Sequence, residues 1–314
     1  MRNDNLRELT ARQAFGCSSP KCYAGLMPDS SKQHSPVQAV FQLLGKRWSG
    51  LNNNLLGFLY DRAGDLAVLR LFKAALKLYL YVFKETRTHP DWGGVRLSYL
   101  LSRIAEIGNS YQPADLALQK LCEESEEIMR SRDTDPHVVI EYTAICRYLD
   151  QMRVVRFHDE LKGSHPEFAN TLGWLKFFGI KKFLETKRYT DYSHDDCECF
   201  LKILQRKTRF PKGFLYVDGP EPSPYHKNWI VGMEADYYEC ILGAGHEALA
   251  AEYSQMLIEM APTPETFITL IGAALRAGCT SAVEVLLNKA DSTLGHDSML
   301  HVLAESKKRA KGEQ

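Results

Sequence analysis

Residues 262–278 read Pro262-Thr263-Pro264-Glu265-Thr266-Phe267-Ile268-Thr269-Leu270-Ile271-Gly272-Ala273-Ala274-Leu275-Arg276-Ala277-Gly278. Thr263 is a good N-cap, because its hydroxyl accepts from an orphan N–H of the first helical turn. Pro264 suits the first helical position, where its missing donor costs nothing. Phe267, Leu270, Ile271 and Leu275 recur at three and four residues, so one face of a helix is apolar. Gly278 is a stop signal. Thr280 reads as the N-cap of a second helix, in which Val283, Leu286, Leu287 and Ala290 keep the same spacing. Two short amphipathic helices joined by a tight turn make a helical hairpin.

The design extends outward. Ala235 to Gly245 reads as a helix and its stop, with His246 to Met260 as its partner. Tyr238 aligns with Phe267, and Ile241-Leu242 with Leu270-Ile271. Upstream, Val95–Gly108 pairs with Ala114–Met129, Val138–Gln151 with Val154–Lys162, and Leu172–Lys187 with His194–Gln205. Helix starts are marked at Ser35-Pro36, at Pro113, at Asp135-Pro136, at Pro166 and at Ser193. Gly64, Gly108, Gly245 and Gly278 read as helix ends. Alternation of the strand type is confined to Phe214-Leu215-Tyr216-Val217, too short to found a sheet. The spacing predicts an all-α chain of about thirteen helices joined by short turns. A hairpin with one apolar face buries it only against a neighbour, so a solenoid-like array of antiparallel hairpins is expected.

Residues 262–290 resemble a pentatricopeptide repeat. The resemblance is carried by the polar-aromatic helix start, the Leu270-Ile271 pair and the closing Gly278, with a poorer copy at 235–261. The rest resembles the wider tetratricopeptide-like class of helical hairpins. The helix starts are unevenly spaced, so the family's base-reading positions are not carried onto this chain. The pentatricopeptide resemblance implies an organellar, mitochondrial RNA-binding protein of RNA processing or translation.

Composition shifts divide the chain. Residues 1–34, rich in Ser, Gly and Pro, form a loosely ordered lead-in, and 35–217 an N-terminal block of hairpins. Residues 218–228, opening on Asp218-Gly219-Pro220-Glu221-Pro222-Ser223-Pro224, form a linker. A C-terminal repeat block follows at 229–308, and a solvated basic tail at 309–314.

The 39 Lys and Arg balance 39 Asp and Glu. That argues against a sequence-blind electrostatic binder of nucleic acid, while leaving room for a local basic groove. Eight scattered cysteines in 314 residues are not a disulfide framework, and point to a reducing, intracellular and cytoplasmic setting. Residues 1–10 lack the apolar run of a secretory signal. Arg2, Arg7 and Arg12 are in the manner of a mitochondrial presequence, and Asp4 and Glu8 oppose it. The most apolar stretch, Leu66 to Phe83, carries Arg70, Lys73 and Lys77 three and four residues apart. It reads as one amphipathic helix and not as a membrane span.

Four constellations are candidates for chemistry. Arg206, Lys207, Arg209 and Lys212 interleave with Phe210 and Phe214, a pattern that can pair phosphates and stack bases. The same residues suit a helix C-terminus followed by an apolar docking loop. Arg70, Lys73, Lys77 and Lys84 form a basic helix face for an acidic partner, or a solvated one. His194, Cys197 and Cys199 lie close together, but a closed zinc site needs four ligands, which Cys17 and Cys22 would have to complete. Asp195-Asp196 lacks the third carboxylate of an Asp-rich metal motif. No phosphate loop, nucleophile elbow or zinc-protease helix is present. No cofactor, metal or small-molecule substrate is therefore expected. The function expected first is a non-enzymatic scaffold binding a protein. Single-stranded RNA binding is the second reading, and an α-helical enzyme with an unrecognised site the third.

Overall fold

The computed structural model describes residues 53–87, 89, 92–209 and 224–311. Among the described residues there are fourteen α-helices and no strand. In chain order they are α1 (Asn53–Val68), α2 (Phe72–Glu85), α3 (Leu101–Gly108), α4 (Gln112–Ser131), α5 (Pro136–Cys146), α6 (Arg153–Ser164) and α7 (Ala169–Phe178). Then come α8 (Ile180–Glu185), α9 (His194–Arg209), α10 (Pro224–Gly243), α11 (Glu247–Met260), α12 (Pro264–Arg276), α13 (Thr280–Leu294) and α14 (His296–Ala310). A π-helical turn, Val95–Leu100, runs into α3, and a 3-10 turn, Tyr189–Asp191, precedes α9. No helix among the described residues is long and apolar enough to cross a membrane. The chain divides after Phe58, and residues 59–314 cluster as one compact unit.

Side-chain caps start three of the described helices. Asp135 accepts from the His137 N–H at 2.8 Å and caps α5. Thr263 Oγ1 accepts from the Thr266 N–H at 3.3 Å and caps α12. Ser193 Oγ accepts from the Asp196 N–H at 3.2 Å, while Asp196 Oδ2 accepts from the Ser193 N–H at 2.9 Å. This is the reciprocal capping box, with Asp in the usual place of Glu. Three expected signals act otherwise. Pro166 lies in a turn, and α7 begins at Ala169. Thr280 is the first residue of α13, with Cys279 in the cap position. Gly64 sits inside α1. The start at Ser35-Pro36, the lead-in 1–34 and Phe214–Val217 lie outside the described residues.

Four helices end in the same six-residue closure, the Schellman motif. After α1, Arg70 N bonds Ala67 O at 3.0 Å and Leu71 N bonds Leu66 O at 2.9 Å. The same pair of bonds recurs at Lys187-Arg188, Gly245-His246 and Gly278-Cys279. The motif needs a left-handed residue. Gly245 and Gly278 adopt φ of +82° and +73° without a Cβ to clash, whereas Arg70 and Lys187 sit at φ of 58° and 52°. The closure at Arg70 overturns the expectation of a single helix over Leu66–Phe83. The run is two helices, and Arg70 belongs to the turn between them.

The C-terminal helices are the most regular. α10, α12 and α14 lie side by side with α12 in the middle, while α11 and α13 fold back as hairpin partners. α12 is buried continuously from Thr266 to Ala274, as a helix surrounded on all sides must be. Phe267, Leu270 and Ile271 are fully buried, and each contributes about 2 kcal/mol by leaving water. Tyr238, Ile241 and Leu242 are buried at the matching places of α10. α14 runs to Ala310, and Arg309 bonds Glu265 at 2.7 Å. Arg309 thus belongs to the packed helix, not to a solvated tail.

Upstream pairing is less regular. α3 packs on α4 as expected. α5 ends at Cys146, and packs on α4 and α7 more than on α6. The run Leu172–Lys187 breaks at Gly179 into α7 and α8. α9 packs on α10 and α11, and meets α7 through the Phe177 and Phe200 rings, 5.8 Å apart. Residues 224–228, expected in the linker, are the first turn of α10; residues 210–223 lie outside the described residues.

Buried carboxylates lock these contacts. Glu126 on α4 accepts from Arg153 Nε at 2.6 Å and from the Tyr142 hydroxyl at 3.0 Å. Glu239 on α10 accepts from Arg276 Nε at 2.7 Å and from the Tyr189 hydroxyl at 3.0 Å. On α6, His158 is buried with its ring edge on Phe183, centroids 5.1 Å apart, and Nδ1 lies 3.4 Å from Asp159 Oδ1. Burial holds the His158 pKa below its ordinary 6.5; Lys176 adds to this, while Asp159 and Asp191 oppose it.

Two outcomes follow. Lys187→Gly relieves a left-handed Cβ and raises stability by about 1 kcal/mol in urea unfolding, and a destabilised variant contradicts the closure described. Because the unfolded chain binds a proton at His158 near pH 6.5 that the folded chain refuses, stability falls as pH drops through that value. His158→Leu removes that component, seen as a shallower loss of unfolding free energy between about pH 7.5 and pH 5.5.

Candidate partner-binding cleft

Helix α2 turns Ala75, Leu76, Tyr79, Val82 and Phe83 inward. Lys73, Lys77 and Lys84 stay exposed on the opposite face. Phe72, at the start of α2, stacks on Tyr111, just before α4, with centroids 6.2 Å apart. Further along the same helices, Leu80 to Lys84 of α2 and Ala117 to Ile128 of α4 line one cleft. The two helices therefore run parallel, with the cleft between them.

The cleft has a volume of about 330 Å3. From α2 come Leu80, Phe83 and Lys84, with Arg87 just beyond the helix end. From α4 come Ala117, Leu121 and Ile128, with Glu124 on the same helical line, and Lys120 and Ser125 to either side of it. Arg96 and Glu141 complete the lining. Four basic side chains against two carboxylates leave it with an excess of two positive charges.

Arg96 and Glu141 are only 5% and 4% exposed. The Arg96 guanidinium donates through Nε to Phe83 O at 2.9 Å and through Nη2 to Glu141 Oε2, and it lies 4.0 Å from the Phe83 ring centroid. Arg87 Nε donates to the same Glu141 oxygen at 3.1 Å. Burial pulls the Arg96 pKa down and the Glu141 carboxylate opposes it. Two charges in such surroundings persist only as a pair. The pair joins the π-helical turn to α5 and fixes the C-terminal carbonyl of α2 above it. Lys84 and Lys120 are exposed at the rim, Lys120 lying 3.9 Å from Glu124.

Of the expected site residues whose side chains are described, Lys84 alone lines this cleft. Lys73 and Lys77 continue its side of α2 towards the N-terminus, and Arg70 is carried off by the turn. Arg206 is exposed on α9. Lys207 and Arg209 belong to the same helix, their side chains being outside the described set; Phe210, Lys212 and Phe214 lie outside the described residues altogether. His194 meets the His246 ring edge-on at 5.2 Å, Cys199 is exposed, and Cys197 is buried beside Cys240 on α10. Among the described residues no three His, Cys, Asp or Glu side chains are arranged to hold a metal ion. Burial would raise the Asp196 carboxyl, but Lys176 and the Ser193 donors hold its pKa below 3.8. It serves as a cap.

Arg87, Arg96, Lys120 and Glu141 were not singled out in the sequence. A signal was present for two of them: Glu141 stands within the apolar run Val138–Ile145, and Arg96 within Val95–Leu101. A charge on an apolar stripe needs a partner on another element.

The chain matches no protein-family model, no curated protein and no solved structure.

Replacing Glu141 by Gln strands the buried Arg96 charge and lowers stability by about 3 kcal/mol. Arg96→Met with Glu141→Leu recovers most of that loss. Chemical denaturation of the two singles and the double checks this; additive losses would contradict a buried pair.

Proposed function

We propose that this chain is a non-enzymatic scaffold of stacked helical hairpins, and that a protein partner docks in the cleft between α2 and α4. The observation that carries it is the cleft itself: apolar side chains on both walls, a cationic rim, and the Arg96–Glu141 pair at its base. Rigid walls lower the ordering cost of binding. The matched hairpins α10–α11 and α12–α13, each turning at a left-handed glycine, support a solenoid-like repeat of the tetratricopeptide class. The titratable groups at the base, Arg96 and Glu141, are engaged with each other, which favours docking over catalysis. Scattered cysteines favour an intracellular, cytoplasmic site of action. RNA binding through 206–214, with a mitochondrial setting, is the second reading; exposed Arg206 is the observation in its favour.

Peptides selected by display against the full chain are expected to bind at micromolar Kd or tighter, about −8 kcal/mol. Leu80→Ser with Leu121→Ser is expected to weaken them at least about tenfold, with helicity kept by circular dichroism. Mixed-sequence single-stranded RNA at about 0.15 M salt is expected to give no anisotropy change up to tens of micromolar. Failure to enrich any peptide, or micromolar RNA binding lost in Arg206→Ala with Arg209→Ala, contradicts the scaffold reading.

A further inference from the structure

Resting on the docking reading, we infer the class of partner the cleft takes: an acidic amphipathic helix of about three turns. Three observations lead there. The first is backbone accounting. Both walls of the cleft are helices, and no strand exists among the described residues. Main-chain pairing with an extended peptide has no sheet edge to use among the described residues, whereas a helix brings its backbone already paired and offers only side chains to the cleft.

The second is shape. Ala117, Leu121 and Ile128 form an apolar line along α4, broken by the exposed Glu124 between the last two, and line the cleft with Leu80 and Phe83 of α2. From Ala117 to Ile128 the line rises about 17 Å, the length of about three helical turns. The volume of about 330 Å3 is at the small end of ligand pockets. It accepts a few apolar side chains projecting from one helix face, not a whole domain.

The third is charge. Lys84 and Lys120 are exposed at the rim, and Arg87, engaged with Glu141, keeps about half of its side chain in solvent. Lys73 extends the same sign along α2. Of the two acids lining the cleft, Glu141 on α5 is tied to Arg96 and Arg87, and Glu124 on α4 lies 3.9 Å from Lys120. An incoming helix whose polar flank carries Glu or Asp meets the α2 side, and one carrying Lys or Arg is repelled there.

The test uses the full-length chain and three fluorescein-labelled peptides of about 15 residues. One has leucines at helical spacing and Glu on the flanks, one has every Glu replaced by Lys, and one carries a central proline. Anisotropy at about 0.15 M salt is expected to show the acidic peptide binding at least about tenfold tighter than either other. Lys84→Glu with Lys120→Glu is expected to weaken it at least about tenfold. Lys202→Glu, exposed on α9, is expected to leave it unchanged. Equal affinity for the Lys peptide, or indifference to the charge reversal, overturns the inference. So does a proline peptide that binds as well, or RNA taking the peptide's place at Lys84 and Lys120. The two levels separate by the selected peptides: a cleft-binding set without acidic helical character sinks this inference alone, and an empty selection sinks the docking reading beneath it.

Discussion

Short helices with one apolar face cannot hold their shape alone, and the packing of the described helices answers to that constraint. α12 is its clearest expression: thirteen residues long, buried without interruption from Thr266 to Ala274, and touched by α10, α13 and α14. Hairpin turns set how neighbours are presented to it. The Schellman closures at Gly245 and Gly278 return the chain within a few residues, so α11 and α13 fall back beside α10 and α12. Where the left-handed position is Arg70 or Lys187, local strain is accepted for the same geometry.

Helix-on-helix packing through apolar contacts alone is permissive about register. Buried carboxylates remove that freedom. Glu126, Glu141 and Glu239 are each tied to an arginine on another helix or turn, and Glu126 and Glu239 also hold a tyrosine hydroxyl. Breaking any of these pairs would leave a charge without water. At the Arg96–Glu141 pair the device has a second effect. It sets the floor of the α2–α4 cleft, and thereby spaces the apolar line of α4 from the cations of α2.

Where a feature depends on residues within a few positions, the sequence was readable. Asp135, Thr263 and Ser193 cap helices, and Gly245 and Gly278 end them, because each acts on its own backbone. The all-α class follows from apolar periodicity. The break at Arg70 was hidden because neither Gly nor Pro marks it, and Leu66–Phe83 keeps helical spacing straight through the turn. Gly64 misled for the opposite reason: packing holds it inside α1. The cleft was legible only at Lys84. Leu80 and Phe83 share its helix and Arg87 follows it, but the other members come from α4, α5 and the π-helical turn, and only tertiary packing brings Arg96 to Glu141 across 45 positions. The cation and aromatic run at 206–214 lies largely outside the described residues.

On the proposed scaffold reading, the described helices offer a partner a surface of side chains, fixed by charge pairs underneath, with no strand edge among the described residues. The claim at the centre is that docking occurs between α2 and α4. Photo-crosslinking of a benzophenone-bearing acidic helical peptide to the full chain, mapped by mass spectrometry, tests it most directly. Adducts concentrated within residues 80–87 and 117–128 are the result predicted. Adducts concentrated at residues 206–214, or spread evenly over the chain, would contradict it.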